Sequence, residues 1–259
     1  MWIRCCRFHV GSIVTRQLMI CWRCAVFRER KGKQENKMSD SQRSIRLELA
    51  GFWRAGGGRS SGYHLDSLCE RDRDGLPFLP GRQLKGVIRH ALARAEAWGW
   101  FADNVLPEGP CATLDELLFG SVSQQHERAS TWPGMLIIGD ATLSQAERGY
   151  LAQPQQAALR EALFEQLFST AIEDSGGAKA GSLRGAEVAL PMVLFAPVSL
   201  ELTALESERR EQQRQVLTDA RVWQAVEASL SLVDAIGAGR TRGLGEAQLS
   251  LLARAEEVI

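Results

Sequence analysis

The segment Leu79–Leu92, LPGRQLKGVIRHAL, constrains the fold most strongly, because its spacing of side chains fits an amphipathic helix. Pro80 suits the start of such a helix. Three basic residues, Arg82, Lys85 and Arg89, share one side of it. The apolar side is formed by Leu84, Val87, Ile88, Leu92 and Ala95. The apolar side needs a layer to pack on, and the basic stripe predicts an anionic ligand such as phosphate, unless it is only a solvated face.

Strand-like segments alternate with helical ones along the rest of the chain. Short runs with the period of a strand, or with the apolar character of a buried one, occur at Ser44–Trp53, Gly134–Leu143 and Val193–Leu202, and a final strand follows a glycine-rich turn near the C-terminus. Helical spacing predicts further helices at Leu114–Phe119, Pro154–Ile172 and Glu206–Val233. This mixture predicts an α+β domain.

The composition is that of a globular protein without a membrane span. The chain has 259 residues, of which 45% are hydrophobic and 24% are charged. No run of about 18 apolar residues occurs, and the apolar stretches near the start are interrupted by Arg and Cys, so neither a membrane helix nor a signal peptide is predicted. We therefore expect a cytoplasmic location.

The first part of the chain differs from the rest in charge and cysteine content. Residues 1–37 carry nine Lys and Arg against two Glu, a net charge of +7, so residues 38–259 carry −7. We expect residues 1–43 to be a disordered tail or an extension upstream of the functional start at Met38, and residues 44–259 to form a single domain. The early segment offers a possible zinc site, although the adjacent first two cysteines are poorly spaced for one and incidental cysteines are the alternative: Cys5, Cys6, His9, Cys21 and Cys24.

Three long glycine-rich loops carry basic side chains. The first, RAGGGRSSGYHLDSLCERDRDGLPF, precedes the basic helix, and the second, EDSGGAKAGSLRGAEV, contains Lys179 and Arg184. The third, IGAGRTRGLGEAQL, contains Arg240 and Arg242 among the glycines Gly237, Gly239, Gly243 and Gly245. It is not a dinucleotide fingerprint, because a helix precedes it and a strand follows it. Because glycines have no side chain, a ligand can come close to the backbone of this loop, and the arginines suggest that the ligand is a phosphodiester backbone.

Candidate catalytic groups are few. The chain has no GxSxG or HExxH motif, and only His64, His90 and His126 lie beyond Met38. His64 shares the first loop with Asp66. A carboxylate beside arginines can hold a divalent cation or help a 2′-hydroxyl attack the adjacent phosphate. The alternative is an ordinary surface aspartate.

Taken together, these motifs resemble the RAMP superfamily, the repeat-associated proteins of CRISPR effector complexes. The helix start LPGRQLKGVIRHAL is similar to the family pattern Pro-Gly-x-x-Leu-Lys-Gly-x-x-Arg. The other matching pieces are LLFGS, GMLIIGDATL, AKAGSLRGAEV and GAGRTRGLGEAQL, and together they cover most of Ile45–Leu251 in order. The resemblance implies a ferredoxin-like, RRM-like core with long inserted loops, including a thumb-like loop near residues 173–190.

Within that superfamily the chain most resembles the repeated, right-hand-shaped backbone subunit of type III complexes. Such subunits line a guide RNA, and the nuclease-competent ones cut complementary target RNA with a divalent metal, here expected to be Mg²⁺, and without an organic cofactor. The resemblance implies as partners the guide RNA, target RNA, further copies of this chain in a filament and other effector subunits. It also makes Asp66 the catalytic residue, with Asp72 or Asp74 as alternatives if the alignment of the loop shifts.

The same resemblance gives roles to the basic and glycine residues. The residues expected to bind RNA are Arg82, Lys85, Arg89, Lys179, Arg184, Arg240 and Arg242. The glycines expected to allow close approach of its backbone are Gly81, Gly86, Gly237, Gly239, Gly243 and Gly245. Base pairing carries the sequence information in guided systems, so the protein would read backbone and shape.

Three other functions remain open. The chain could be a non-catalytic backbone subunit, or an endoribonuclease of the same superfamily that processes CRISPR-repeat RNA with His64 as general base. Without the resemblance, it would be only an α+β domain with long loops.

Overall fold

A computed structural model describes residues 41–253, apart from residues 59, 63, 102–104 and 122–130. All of these belong to the second of the two units into which the chain divides, Ser41–Ile259. The predicted zinc ligands, most of the predicted tail and His126 lie outside the described residues. The first strand begins at Gln42 rather than at Ser44, so residues 42 and 43 belong to the fold and not to a tail.

The described part of the chain contains six strands and six α-helices. The strands are β1 Gln42–Leu49, β2 Leu136–Ile138, β3 Phe164–Ser169, β4 Arg184–Ala189, β5 Met192–Leu200 and β6 Ala247–Leu252. The helices are α1 Gly81–Ala97, α2 Leu114–Phe119, α3 Gln145–Leu151, α4 Ala157–Glu161, α5 Ser207–Leu217 and α6 Ala220–Leu230. Two short 3-10 turns lie at Pro154–Gln156 and Arg240–Arg242. None of the helices in this part of the chain is both long and apolar enough to cross a membrane.

Four strands form the central sheet, in the order β2-β5-β1-β6 with antiparallel neighbours. Helix α1 follows β1 and helix α6 lies between β5 and β6, and these two helices pack on each other. The order is consistent with the βαββαβ ferredoxin-like core that the resemblance implies. The expected α+β class is therefore confirmed.

Strand β1 pairs with β5 on one side and with β6 on the other, and alternation of buried residues along it shows that one face of the sheet is covered. Ile45, Leu47 and Leu49 are buried, while Glu48 between them is exposed. The apolar face of α1 meets this layer, because Leu84, Ile88 and Leu92 are also fully buried. Burial of each such side chain contributes about 1.5–3 kcal/mol to the free energy of folding. The predicted amphipathic helix is thus confirmed and continues to Ala97.

The helix predicted at Pro154–Ile172 is wrong. After α4 the chain forms β3, which pairs with β4 from Phe164 opposite Ala189 to Ser169 opposite Arg184. The leucines spaced by four gave the helical signal, but Leu159 remains exposed, and Leu163 packs against the core just before β3 begins. The backbone N–H and C=O groups of β3 instead form hydrogen bonds with β4. The hairpin β3–β4 includes the segment predicted to be a thumb-like loop.

Two other predicted elements are shorter than expected. The helix predicted at Glu206–Val233 is divided into α5 and α6, because the side chain of Asp219 accepts a hydrogen bond from the amide of Arg221 and caps a new helix. The strand predicted at Gly134–Leu143 is reduced to β2. Beyond Ile138, Gly139 lies beside Pro197 of β5, which has no N–H to donate, so regular pairing ends there.

Candidate nucleic-acid interface

Three segments that are distant in sequence meet beside the N-terminus of α1. The amide of Ala238 donates to the carbonyl of Arg54 at 2.8 Å, and the amide of Gly245 donates to the carbonyl of Phe52 at 2.8 Å. From the helix, Gln83 donates its side-chain amide to the carbonyl of Gly56 at 3.1 Å. The first glycine-rich loop, the start of α1 and the C-terminal glycine loop therefore form one surface.

The C-terminal glycine loop owes part of its sequence to its own fold. Gly237 and Gly245 have φ angles of +87° and +77°, and a side chain on either would collide with a carbonyl oxygen, that of Arg54 or of Ile236. Gly239 and Gly243 have φ angles of +82° and +78° and flank the turn Arg240–Arg242. The backbone geometry therefore explains these glycines, and close approach of RNA to them stays a prediction.

The two glycines of α1 differ in their surroundings. A Cβ on Gly81 would lie 2.5 Å from the carbonyl oxygen of Ile138, so Gly81 lets the helix start pack against the end of β2. Gly86 has open space at the same position and is exposed. Only Gly86 is placed so that a ligand could approach the helix backbone.

The face of α1 beside the glycine loop forms one wall of a groove of about 640 Å³. Arg82, His90 and Arg94 of the helix line it, and Arg240 lines it from the glycine loop. Asp234 is the one acidic residue in its lining. Three arginines against one aspartate give the groove a positive charge, which attracts a polyanion. Arg242 is exposed on the same turn as Arg240 but does not line the groove.

The three residues of the basic stripe have different environments. The side chain of Arg82 is 78% exposed, and its ion pair, with Glu70, is long at 3.9 Å. Lys85 is half-buried and donates to the carbonyl of Leu136 at 2.8 Å. Burial, and then the nearby charge of Arg89, lowers the pKa of Lys85 below its usual value. Arg82 is therefore the member of the stripe most available to a ligand.

Arg89 is held by contacts within the protein. Its guanidinium lies 3.0 Å from a carboxylate oxygen of Asp115 and donates to the carbonyl of Gly120 at 2.8 Å. These contacts join α1 to both ends of α2. The expectation that Lys85 and Arg89 bind RNA stays a prediction, but each already has a structural partner.

The N-terminus of α1 also has an internal partner. The amide of Gly81 donates to a carboxylate oxygen of Asp140 at 2.7 Å. A carboxylate here satisfies the positive end of the helix, which the sequence offered as a phosphate site. Asp140 belongs to the GMLIIGDATL motif, but nothing in its spacing identified it as a cap.

The basic residues of the second loop lie on the hairpin β3–β4. Lys179 is exposed in the turn that joins the two strands, and Arg184 is exposed at the first position of β4. Three large apolar side chains of the hairpin are exposed as well, namely Phe168, Ile172 and Leu183. The hairpin therefore offers charge together with apolar surface, as a segment that contacts nucleic acid or protein would.

Asp66 is hydrogen-bonded to strand β4 of this hairpin, close to the turn. Its amide donates to the carbonyl of Gly185 at 2.8 Å, and its carboxylate accepts from the amide of Gly185 at 2.9 Å. The ring of Phe168 lies over Gly185, and a Cβ on that glycine would be 3.0 Å from it. Asp66 is exposed, as is His64 in the same loop. An accessible carboxylate is thus hydrogen-bonded to the residue that follows Arg184 in β4, close to an exposed aromatic ring.

The two alternative aspartates are placed differently. A carboxylate oxygen of Asp72 accepts hydrogen bonds from the amides of Asp74 and Leu76, and its other oxygen is 3.2 Å from Arg148. Asp74 is 3.6 Å from the same arginine. Asp72 therefore stabilises the turn before α1, and Asp74, although exposed, lies close to Arg148, whereas Asp66 is exposed and its carboxylate is held by a backbone amide.

The residue that would hold a divalent cation is Asp66. Among the described residues, no group of three or more His, Cys, Asp and Glu is arranged to hold a metal ion. Mg²⁺ often binds one or two carboxylates together with the phosphates of a substrate. Asp66 fits that requirement, provided that the RNA supplies the remaining oxygens.

Sequence reasoning missed three residues that line or border this surface. His90 and Arg94 lie on the groove face of α1, where their helical spacing from Gly86 could have identified them. Arg54 is partly buried and its Nε has no hydrogen-bond partner. It lies where the first loop meets the glycine loop, a long-range contact that no local pattern reveals.

Comparison with known proteins identifies relatives of the fold. The model of the RAMP superfamily matches residues 46–248 of the chain, which confirms the expected resemblance. No curated protein matches the chain. A chain in the cryo-EM structure of the type III-B Cmr-beta bound to cognate target RNA is similar, with a TM-score of 0.55 and 12% identity over 84% of this chain and 98% of that chain. A chain in the cryo-EM structure of the apo state of type III-B Cmr-beta is also similar, with a TM-score of 0.52 and 13% identity over 86% of this chain and 100% of that chain.

Proposed function

This chain belongs to the RAMP superfamily, and we propose that it is a backbone subunit of a type III CRISPR effector complex that binds guide RNA and cleaves complementary target RNA. The similar structures come from type III-B Cmr-beta, one of them bound to target RNA. That likeness concerns the fold. The proposal for RNA therefore depends on the groove and on the loop that carries Asp66.

The observation that carries the proposal is the convergence of Arg82 and Arg240 on one groove. The two residues come from different motifs, and residues 38–259 have an overall charge of −7, so a local excess of arginine is not a consequence of composition. Arg94 adds to the same charge. Arginine side chains in a groove next to exposed helix backbone at Gly86 suit the phosphates of a nucleic acid.

Recognition by these groups would not depend on sequence. The charged residues that line the groove can contact phosphates, which position a strand without reading its bases. Pairing between guide and target would then supply the specificity. The proposed role is that of a scaffold that holds the guide in a fixed path.

The proposed cleavage step uses Asp66. The 2′-oxygen of a target nucleotide loses its proton and attacks the adjacent phosphorus, the bond to the 5′-oxygen of the next nucleotide breaks, and that oxygen takes a proton from water, so that a 2′,3′-cyclic phosphate and a 5′-hydroxyl form. Asp66 would orient the 2′-hydroxyl or accept its proton, with its position held by Gly185. Arg184 would hold the phosphate from β4. Asp66 would be the protein ligand of a Mg²⁺ ion, whose charge would favour the negative charge that develops on the phosphate.

A non-catalytic scaffold is the second candidate, and one observation favours it. One oxygen of the Asp66 carboxylate already accepts a hydrogen bond from Gly185, so this carboxylate has a structural use without any chemistry. In that case the groove would bind RNA as proposed, and another subunit would cut the target.

The binding part is tested by titrating a labelled guide RNA with the full-length chain at several salt concentrations. The double variant Arg82→Ala, Arg240→Ala should bind more weakly, with a slope of log affinity against log salt that is smaller by about 2. Arg214→Ala is the matched control, because Arg214 is exposed on α5 and pairs with Glu211. Equal affinities and slopes for all three proteins would refute RNA binding in the groove.

A further inference from the structure

Two tryptophans are exposed at the C-terminal end of α1. The side chains of Trp98 and Trp100 are 59% and 49% exposed, and their ring centroids are 5.9 Å apart with a tilt of 49°. Leaving two indoles in water forgoes the free energy that their burial would supply. A pair of exposed large aromatic side chains commonly marks a binding surface.

The backbone that carries these rings is fixed. The amide of Gly99 donates to the carbonyl of Glu96 at 3.0 Å, and that of Trp100 donates to Ala95 at 3.0 Å, with Gly99 at a φ of +70°. This is the hydrogen-bond pattern that closes many helices. Because the cap holds the backbone, binding a ligand does not require this segment to fold first.

The aromatic pair begins one helical turn beyond Arg94, the last residue of the α1 face that lines the groove. Gly86, His90 and Arg94 lie on that face, and the amide of Trp98 donates to the carbonyl of Arg94 at 3.0 Å. From Arg82 to Trp98 the helix rises about 24 Å, at 1.5 Å per residue. A strand that leaves the groove at Arg94 would need to extend by only about 6 Å along the helix axis to come level with Trp98.

We infer that Trp98 and Trp100 form a stacking site for unpaired bases of single-stranded RNA whose backbone lies in the groove of Arg82, Arg94 and Arg240. The inference depends on the proposed RNA binding and adds a second mode of recognition to it. A positively charged groove combined with aromatic rings is the arrangement by which proteins bind single strands without sequence preference. A duplex would not use this site, because its bases are already stacked on each other.

The angle between the two rings limits how bases can bind. The two indoles are too close and too strongly tilted for a base to insert between them. Each ring can instead take a base on its outward face. Stacking of this kind accepts any base, since every base has an aromatic face.

The test compares two probes of equal length, a single-stranded RNA and an abasic ribose-phosphate oligomer, by fluorescence anisotropy with the full-length chain. The variant Trp98→Ala, Trp100→Ala should bind the RNA about tenfold or more weakly and the abasic oligomer with unchanged affinity. The matched variant Trp98→Phe, Trp100→Phe should keep most of the RNA affinity. Thermal unfolding of each variant checks that the fold is intact.

Several results would overturn the inference. Unchanged RNA affinity, or equal losses for both probes, would show that no base stacks on these rings. Dissociation of an oligomer by the alanine variant, with RNA affinity unchanged, would assign the rings to a protein interface. If the unaltered chain bound neither probe, the proposed function would fail together with this inference, whereas binding that ignores the tryptophans would remove the inference alone.

Discussion

Asp66 and Gly185 exchange two hydrogen bonds, one from the amide of Asp66 at 2.8 Å and one to its carboxylate at 2.9 Å. The pair joins the first glycine-rich loop to strand β4, although the two residues are far apart in sequence. The position of the proposed catalytic carboxylate therefore depends on the hairpin β3–β4. Changes in the hairpin should affect cleavage without touching the carboxylate itself.

Gly185→Val should impair cleavage more than RNA binding. A Cβ on Gly185 would be 2.8 Å from a methyl group of Leu65 and 3.0 Å from the carbonyl oxygen of His64, so the loop must shift and carry Asp66 with it. We expect a loss of about 1–3 kcal/mol in the free energy of unfolding. Gly177→Val at the hairpin turn is the control, because only Ser175 lies near its Cβ, at 3.7 Å. Equal cleavage rates for both variants would disprove the coupling.

Replacing Arg89 should lower the stability of the protein, whereas replacing Arg82 should weaken its binding to RNA. Arg89→Ala leaves the partly buried carboxylate of Asp115 without its ion pair, and we expect a loss of about 2–3 kcal/mol in the free energy of unfolding. Arg82→Ala should change stability by less than about 0.5 kcal/mol, since that side chain is exposed, but lower the salt slope of RNA binding by about 1. Urea denaturation and RNA titration measure both effects. A stable Arg89→Ala protein would contradict the structural role of the pair.

Gly86→Ala should stabilise the protein and weaken its binding to RNA. The position is inside α1 with open space at the Cβ, so alanine should raise the free energy of unfolding by about 0.5–1 kcal/mol. The added methyl group would stand where the RNA backbone is proposed to approach. Gly149→Ala, inside α3 and equally open, should stabilise the fold and leave RNA affinity unchanged. Identical RNA affinities for the two variants would show that the backbone does not approach Gly86.

The buried thiol of Cys69 should make stability fall in alkali. Burial first, and then the charge of Glu187, raises the pKa of Cys69 to about 12. The unfolded thiol loses its proton near pH 9, so between pH 9 and 12 the folded state holds more protons and its stability falls by up to about 1.4 kcal/mol per pH unit. Denaturation of the unaltered protein and of Cys69→Ala at pH 8 and pH 10 isolates this contribution. A difference between the two proteins that does not change with pH would contradict the raised pKa.

Local patterns predicted the elements whose signals are local. The apolar periodicity of α1 and the alternation in β1 each have a matching buried layer, so their segments were recognised. The order of motifs indicated the family, and with it the arrangement of the sheet. The strand β3 was mistaken for a helix because Leu167 continues the helical spacing of Leu159 and Leu163, and its strand structure comes from its pairing with β4.

The site was less predictable because its contacts are long-range. Arg82 and Arg89 look equivalent on a helical wheel, but Asp115 of α2 binds one of them and leaves the other exposed. Asp66 and Asp72 likewise share a loop, and their partners Gly185 and Arg148 distinguish them. A single sequence does not specify such pairs.

The measurement that tests the central claim most directly is cleavage by the assembled complex. The complex is loaded with guide RNA and mixed with end-labelled complementary RNA and Mg²⁺, using the unaltered chain, Asp66→Asn and the control Asp174→Asn, which changes an exposed aspartate of the hairpin turn. We predict cuts at regular intervals with the unaltered and control proteins, and loss of those cuts with Asp66→Asn at unchanged RNA affinity. Undiminished cutting by Asp66→Asn would contradict the account.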